Sequence, residues 1–251
     1  MERFQDRAIG RLIEQIPLAK FPEHVLIIPD GNGRWASKFN KDPSFGHVQG
    51  TKVLKNVLDS LRKLPIKFVT VWGFASDNWK RSPEEINPLM QIFEEQISLI
   101  LPRLIQDDIK FVHLGRKDRI PDSLREAVDN TEELTRKNSK QVLSLAIDFG
   151  GDDQLMRMMR DVRYLPKEIE ITSAIIQRLR DGQGEIPPAD LIIRTSGEQR
   201  VPDIGWLGTN SEFYSIKKLL PDSRVEDFIF ALFDYSKRSR RFGARPQLNN
   251  S

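Results

Sequence analysis

The sequence predicts an α/β fold: a single domain with a mostly parallel central sheet flanked by helices. Three observations lead to this prediction. Strand-like runs alternate with helical patterns along the 251 residues, as in β-α-β crossover units. Most of the strand-like runs are continuously apolar, which is typical of strands buried on both faces. No stretch has the composition of a linker or a repeat, and the length suits one large core.

The strand-like runs are short, rich in Val, Ile, Leu and Phe, and bounded by turn-forming residues. Five of them are predicted as strands, at 24–28, 66–74, 109–115, 141–149 and 189–194. Since parallel neighbours need a crossover connection, the helices between them should cover both faces of one sheet.

The helical segments repeat apolar residues at three- and four-residue spacing. They fall at 1–20, 47–64, 83 onward, 121–137, 151–164, 172–181 and 225–237, with a frayed tail at 244–251. The long helix after Pro83 should begin with a capping box of Ser82 and Glu85, and Pro102 should kink or end it. Its apolar face is either ordinary core or, in part, the wall of a slot for an apolar chain, and spacing does not choose between these readings.

Composition excludes several classes of protein. The chain has no cysteine, which rules out disulfides and thiolate metal sites, and its net charge of +3 is not concentrated with aromatic residues in a nucleic-acid stripe. The basic cluster at 236–245 reads on composition alone as a solvated tail. Without a signal-peptide core or an apolar run near ~18 residues, a cytoplasmic protein is expected, with contact at a membrane surface left open.

Polar residues follow every predicted strand, at the carboxyl ends of the strands, which is where parallel sheets bind ligands. They include Asp30 to Arg34, Ser76 to Arg81, Gly115 and Arg116, Asp148 to Asp152, and Arg194 to Arg200. Glycine lets backbone N–H groups approach an anion, and arginine matches phosphate oxygens. An aspartate among phosphates needs a hard cation, and Mg²⁺ is the usual choice. The residues at these strand ends therefore predict a diphosphate site with Mg²⁺.

Each motif alone is weak evidence. The segment "DGNG" at 30–33 is more often a simple turn, and "TSGE" at 195–198 is more often a loop before a helix. The prediction depends on the five polar strand ends lying together at the carboxyl ends of one sheet.

Taken together, these segments resemble the cis-prenyltransferase family, whose members include undecaprenyl diphosphate synthases. The similarity runs from about residue 24 to 243. It is carried by five ordered motifs, "HVLIIPDGNGRWA" (24–36), "GHVQG" (46–50), "FASDNWKRSPEEI" (74–86), "DLIIRTSGEQR" (190–200) and "RRFG" (240–243). The resemblance implies that an allylic diphosphate ionises, isopentenyl diphosphate attacks the cation, and the growing Z-polyprenyl chain descends into a hydrophobic tunnel beside the long helix.

The resemblance also implies roles for particular residues. Asp30 and Asn78 would be catalytic, with Asp30 holding Mg²⁺ together with Glu212. The allylic diphosphate would be bound by Gly31, Asn32, Gly33, Arg34, Trp35 and His47. Isopentenyl diphosphate would be bound by Trp79, Arg81, Arg194, Arg200 and Arg241. Arg241 would act across a homodimer. Gly73 and Trp72, near the tunnel mouth, would affect chain length.

The sequence departs from the family pattern at several positions. Ser44 stands where arginine is usual, Ala75 replaces a serine, and Pro202 and Asp203 replace Ser-Asn. The segment "DFGGDD" (148–153) replaces one of the Asn-Tyr-Gly-Gly-Arg type. Lys38 or Lys41 would be the residues able to compensate for Ser44.

Three hypotheses follow from the motifs and the departures. The first is a chain-elongating cis-prenyltransferase. The second is a diverged enzyme of the same fold that makes short, branched or cyclised products. The third is a non-catalytic partner subunit, which the retained Asp30, Asn32, Arg34 and His47 argue against. The first hypothesis is preferred.

Overall fold

A computed structural model describes residues 9–241 of the chain. The tail predicted at 244–251 and the first eight residues of the predicted N-terminal helix lie outside the described residues. Within them, helix α1 occupies 9–14 and is followed by a 3₁₀ turn at Leu18–Lys20.

The centre of the molecule is a six-stranded sheet, in which every pair of neighbouring strands is parallel. The strands are β1 (His24–Ile28), β2 (Phe68–Ala75), β3 (Ile109–Leu114), β4 (Gln141–Phe149), β5 (Leu191–Arg194) and β6 (Glu212–Ser215). They lie in the order β3-β4-β2-β1-β5-β6. The five predicted strands are confirmed. The sequence prediction missed β6, because it is four residues long and its side chains are only half-buried.

The helices are α2 (Asn32–Ser37), α3 (Pro43–Leu61), α4 (Pro83–Gln106), α5 (Asp122–Thr135), α6 (Gly151–Val162), α7 (Ser173–Arg178) and α8 (Val225–Ser236). The helix predicted at 172–181 is shorter, because a turn at Asp181–Gly184 follows it with positive φ at Gly182 and Gln183. Helix α2 and a 3₁₀ turn at Ser76–Lys80 were not predicted.

Two details of α4 differ from the sequence prediction. Ser82 is the N-cap residue, but its side chain makes no capping hydrogen bond, and Glu85 instead accepts from Arg81 at 2.8 Å. The predicted capping box is therefore wrong. Pro102 does not end the helix, which continues to Gln106. Packing of the helix's apolar face on the sheet outweighs the one hydrogen bond that proline removes.

Apolar side chains form one core on each face of the sheet. The larger core joins β1, β2, β3 and β5 to helices α3, α4, α5 and α8. The smaller one lies on the opposite face, around Leu26, Leu114, Phe149 and Ile192. Alternate residues of β1 enter the two cores, which explains why the strand is apolar at every position. No helix among the described residues is long and apolar enough to cross a membrane.

Candidate active site

The carboxyl ends of four strands meet at one cavity of about 760 Å³. Ile28 and Asp30 come from β1 and the residues after it, Ser76 follows β2, Gly150 follows β4, and Arg194 ends β5. The end of β3 does not join them. Because β3 is an edge strand, Gly115 and Arg116 lie in a separate pocket, where Arg116 pairs with Asp118 and Asp153. The predicted cluster of polar strand ends therefore holds for four strands and not for the fifth.

The cavity is polar at the strand ends and apolar beyond them. Helices α3 and α4 form its apolar walls over the face of the sheet. The apolar lining comprises Leu54, Leu58, Leu89, Ile92, Phe93, Ile97, Ile100, Phe111, Leu143 and Leu145. A compartment of this form can hold a molecule with a charged head and an apolar tail.

Asp30 lies at the cavity mouth between two arginines. Its Oδ1 accepts from Arg34 Nη2 at 3.1 Å, and its Oδ2 accepts from Arg194 Nη2 at 2.8 Å. Although partial burial raises the pKa of the Asp30 carboxyl, hydrogen bonds from Arg194 and Arg34 outweigh it and hold the pKa below its usual value. The carboxylate is therefore ionised at neutral pH.

Thr195 fixes the backbone of Asp30. The buried Thr195 hydroxyl donates to the carbonyl oxygen of Asp30 at 2.7 Å and is within 2.8 Å of its N–H group. Ser196 accepts from Arg34 Nη2 at 2.7 Å, and Glu198 contacts the same guanidinium at 3.4 Å. Thr195, Ser196 and Glu198 belong to the polar strand end predicted at Arg194 to Arg200, but the sequence predicted no individual roles for them. Their place directly after β5, whose end lies beside the end of β1, is what brings them to Asp30 and Arg34.

Gly46 and Gly50 bring α3 against the loop after β1. A Cβ atom on Gly46 would lie 2.0 Å from the carbonyl oxygen of Asn32, and one on Gly50 would lie 2.2 Å from Asn32 Oδ1. Asn32 Nδ2 donates to His47 Nδ1 at 3.3 Å, so the His47 proton is on Nε2. Two glycines one helical turn apart therefore let Asn32 and His47 meet, and this is the physical reason for the "GHVQG" pattern.

His47 is neutral in this environment. Burial, with the positive charge of Arg81, lowers the pKa of His47 to about 4. The imidazole can donate one hydrogen bond to a ligand from Nε2 but brings no positive charge at neutral pH.

Asn78 closes the turn after β2. Its side-chain oxygen accepts from the backbone N–H of Ala75 at 3.0 Å, so the amide NH₂ is the group it can offer to a ligand. Asn78 and Arg81 line the cavity, and Arg81 is paired with Glu85.

Gly31, Asn32, Gly33, Arg34, His47 and Arg194 also line the cavity, whereas Trp35, Trp79, Arg200, Glu212 and Arg241 do not. Trp35 stacks on Phe45 and donates from Nε1 to Asp222 at 2.7 Å. Trp79 packs edge-on against Phe74. Arg200 pairs with Glu198, and Arg241 is exposed. Gly73 lines the cavity beside the edge of the Phe93 ring, and Trp72 is a lining residue as well.

Glu212 lies at the opposite end of the sheet from Asp30. It begins β6, pairs with Leu191 in the sheet register, and accepts from Arg238 at 2.8 Å. Leu191 is level with Val25, so Glu212 lies five residues, or ~16 Å along the strand direction, from the level of Asp30. The two carboxylates of one chain therefore do not share a metal ion. Among residues 9–241, no group of three or more His, Asp or Glu side chains is placed to hold a metal alone.

Ser44, Lys38 and Lys41 are not part of the cavity wall. Lys38 lies 3.7 Å from Asp222 on the surface, and Lys41 is exposed. Neither lysine supplies a charge to the site in place of the arginine expected at position 44.

Comparison with known proteins identifies the class of enzyme. The family model described as "Putative undecaprenyl diphosphate synthase" matches residues 28–243. An isoprenyl transferase of Bacillus anthracis is 33% identical over 244 residues, covering 95% of each chain. A tritrans,polycis-undecaprenyl-diphosphate synthase (geranylgeranyl-diphosphate specific) of Thermococcus kodakarensis is 36% identical over 246 residues, covering 92% of this chain and 90% of its own.

A solved structure agrees with these relatives. Lavandulyl diphosphate synthase from Lavandula x intermedia, in complex with dimethylallyl diphosphate, superimposes with a TM-score of 0.84 at 31% identity over 90% of this chain and 99% of its own. Fold, site and relatives together define a transferase of prenyl groups. The chain belongs to the undecaprenyl diphosphate synthase family, the cis-prenyltransferases.

Proposed function

We propose that this protein condenses isopentenyl diphosphate with an allylic diphosphate of the geranyl or farnesyl class and releases a Z-polyprenyl diphosphate, with Mg²⁺ as cofactor. The observation that carries the proposal is Asp30, held between Arg34 and Arg194 at the polar mouth of an apolar cavity. A diphosphate fits the arginines, and a prenyl tail fits the cavity beyond them.

The allylic diphosphate binds at the loop after β1. Arg34 supplies charge, Asn32 and the N–H groups of Gly31 and Gly33 supply hydrogen bonds, and His47 donates from Nε2. Gly31 is buried, has a left-handed φ of 103°, and packs so closely on Leu219 that a Cβ atom would lie 2.8 Å from Leu219 Cδ2, so glycine is needed to form this turn. Trp35 supports this loop from outside the cavity, through its contacts with Phe45 and Asp222.

Asp30 fits a magnesium ion that arrives with its substrate. One carboxylate together with phosphate oxygens is a common Mg²⁺ environment, and no cage of protein ligands is needed. When bound, Mg²⁺ neutralises charge that develops on the departing diphosphate. Asp30 would hold the ion from the protein side, and a carboxylate so engaged would leave the Arg34 and Arg194 guanidinium groups free for phosphate oxygens.

The condensation proceeds by ionisation and attack. The allylic C–O bond breaks and its electron pair leaves with the diphosphate, which Arg34 and Arg194 stabilise. The double bond of isopentenyl diphosphate then forms a C–C bond to the allylic carbon. Loss of a proton from C2 creates the new double bond, and diphosphate and one proton are released. The amide NH₂ of Asn78 orients isopentenyl diphosphate for this proton loss.

Isopentenyl diphosphate is bound by Arg194 and Arg200, with Arg81 and Trp79 closing the turn beside it.

Arg241 and Glu212 act only in a homodimer. Since Glu212 lies ~16 Å from the level of Asp30, it reaches a metal at Asp30 only from a second copy of the chain. The product chain occupies the cavity between α3 and α4, which serves as its tunnel. The enzyme works in the cytoplasm and meets the membrane surface through its product.

A second candidate is an enzyme of the same fold that makes short, branched or cyclised prenyl diphosphates. Two observations favour testing it. The synthase structure at 31% identity was solved with dimethylallyl diphosphate, a five-carbon primer. In addition, Pro202 and Asp203 line the cavity where the family pattern has Ser-Asn.

One assay tests both candidates. The purified full-length protein is incubated with Mg²⁺, labelled isopentenyl diphosphate and, in separate reactions, dimethylallyl, geranyl or farnesyl diphosphate. Chain length and connectivity of the product are then determined. Linear Z products support the first candidate, and branched or cyclic products support the second. No labelled product with any primer contradicts both, and points to the non-catalytic subunit.

A further inference from the structure

Part of the cavity lining carries the carboxylates of three aspartates. It is formed by Ser76, Gly150, Asp152, Asp153, Pro202 and Asp203. The cations of the cavity lie elsewhere: Arg34 and Arg194 are paired with Asp30, Arg81 is paired with Glu85, and Lys55 belongs to α3. A second diphosphate entering beside the first therefore meets the carboxylates of Asp152 and Asp203. The third carboxylate of the wall, Asp153, is already paired with Arg116, Arg119 and Arg157.

Asp203 occupies the N-terminus of helix α6. Its backbone oxygen accepts from Gly151 N–H at 3.1 Å, and its side-chain Oδ2 accepts from Asp152 N–H at 3.1 Å. The first two N–H groups of this twelve-residue helix are thus engaged by the protein itself. A helix N-terminus that faces a cavity would otherwise attract a phosphate group.

Gly150 and Gly151 leave the space that the Asp203 carboxylate occupies. A Cβ atom on Gly151 would lie 2.4 Å from Asp203 Oδ1, and one on Gly150 would lie 3.3 Å from Oδ2. The Ser76 hydroxyl on the same wall, buried and with no hydrogen-bond partner among the described residues, would lie 3.2 Å from a Cβ on Gly150. The hydroxyl and the helix N-terminus would together suit a phosphate group, but Asp203 already fills part of that place.

We propose that Asp203 is a specificity-determining residue that weakens binding of the second diphosphate, the one carried by isopentenyl diphosphate, by filling the N-terminus of α6 with a carboxylate of the chain. This inference rests on the proposed function. It adds that the diphosphate of isopentenyl diphosphate, which Arg194 and Arg200 bind, also lies beside the negative charge of Asp203.

The variant Asp203→Asn removes the negative charge of the side chain and keeps its shape. Asparagine has nearly the same shape as aspartate and keeps a side-chain oxygen that can accept from Asp152 N–H, while the negative charge is gone. The first site is filled with an allylic thiolodiphosphate, whose C–S bond does not ionise. Isopentenyl diphosphate is then titrated calorimetrically, without turnover. We expect its Kd to fall roughly three- to tenfold, the range of one charge–dipole interaction. Its KM should fall likewise, with kcat within about twofold of wild type.

Asp161→Asn is the matched control. It makes the same change of charge at the other end of the same helix, and its Kd should equal that of wild type. An unchanged or raised Kd in Asp203→Asn, with the thermal midpoint intact, would overturn the proposal. So would an equal tightening in Asp161→Asn, because the effect would then be one of net charge.

Failure of the proposed function would give different experimental results from failure of this inference. A wild-type protein that makes no product contradicts the prenyltransferase proposal, whereas the titration of isopentenyl diphosphate still compares Asp203 with asparagine. An active wild type with no gain in affinity in Asp203→Asn contradicts this inference alone.

Discussion

Asp30 and Arg194 are joined by two hydrogen bonds, from Arg194 Nη2 at 2.8 Å and from Nε at 3.3 Å, both to Oδ2 of the carboxylate. Arg194 is buried, and its remaining Nη1 donates to the carbonyl oxygen of Arg200 at 2.6 Å. Each of the three guanidinium nitrogens of Arg194 therefore donates a hydrogen bond within the protein before substrate binds. On the proposed function, substrate binding would exchange these partners: the diphosphate would bind the Arg194 guanidinium, and the Asp30 carboxylate would become free for a metal ion.

Asp30→Asn should separate catalysis from binding. The amide is a poor metal ligand, so kcat should fall about 10²- to 10³-fold, as when one preorganised electrostatic contact is lost. Affinity for inorganic pyrophosphate should be kept or increased, because Arg34 and Arg194 lose their competing carboxylate. Steady-state kinetics and calorimetry measure the two effects. Asp59→Asn, which removes a surface pair with Arg62, is the control. Equal loss of binding and turnover would contradict the exchange of partners.

Magnesium should bind together with the diphosphate and contribute little to the fold. Because no group of three ligating side chains is present in residues 9–241, a chelator should abolish turnover and leave the thermal midpoint unchanged. Calorimetry should show weak Mg²⁺ binding to the free protein and tighter binding once pyrophosphate is present. A drop in thermal midpoint on chelation would indicate a structural metal site and contradict the single-carboxylate arrangement.

Gly50→Ala should damage both the fold and the site. The new Cβ would lie 2.2 Å from Asn32 Oδ1 and 2.8 Å from Leu220, so α3 must move or the carboxamide must turn. Overpacking of this kind costs about 1–3 kcal/mol, and KM for the allylic substrate should rise as the Asn32–His47 contact is lost. Chemical denaturation and kinetics measure these effects. Gly10→Ala has no neighbour within 4 Å and should be neutral or slightly stabilising.

The three histidines should make the protein sensitive to acid. The pKa values of His24, His47 and His113 are each lowered to about 4, chiefly by burial, from an ordinary value of 6.5. The unfolded chain therefore binds more protons between about pH 4 and 6.5. The free energy of unfolding should be unaffected by them above pH 6.5 and should fall toward pH 4, by up to about 4 kcal/mol per pH unit for all three.

Urea denaturation at several pH values measures this slope. Replacing His113, which is buried away from the cavity, with Gln should reduce the slope by about a third while kcat/KM keeps its pH profile. His47 should produce no step in kcat/KM near pH 6.5, because it is already neutral there. A stability that stays level from pH 7 to pH 5 would contradict the assignment of neutral buried histidines.

Gly73→Ala should shorten the product. A Cβ atom there would lie 2.9 Å from Phe93 Cε1, and the ring must move within the cavity that it lines. Phe93→Ala should lengthen the product by removing the same ring. Chain-length analysis of the labelled product measures both shifts. Leu99→Ala, on the exposed face of α4, should leave the distribution as in wild type. Identical products from all three variants would show that Phe93 does not limit the chain.

The sequence predicted the sheet well, because burial on both faces imposes continuous apolar runs that short loops cannot imitate. It failed for β6, whose side chains are half-buried, and for Pro102, where packing of a long helix outweighs one lost hydrogen bond. For the site, local motifs located Asp30, Asn32 and Arg34. They could not show that β3 lies at an edge, nor that Trp35 turns away toward Asp222, because strand order and tertiary contacts are not local properties.

The parallel arrangement of all six strands gives the sheet two distinct ends, one where every strand begins and one where every strand stops. Asp30, Asn78 and Arg194 lie at the end where strands stop and line the cavity, so we expect substitutions in those loops to alter the proposed reaction. At the other end, where the strands begin, Asp190 accepts from the backbone N–H groups of Glu23 and His24, contacts that belong to the fold. Tags, labels and insertions intended to spare turnover belong on turns at that second end that lie away from Glu212 and the proposed homodimer contact.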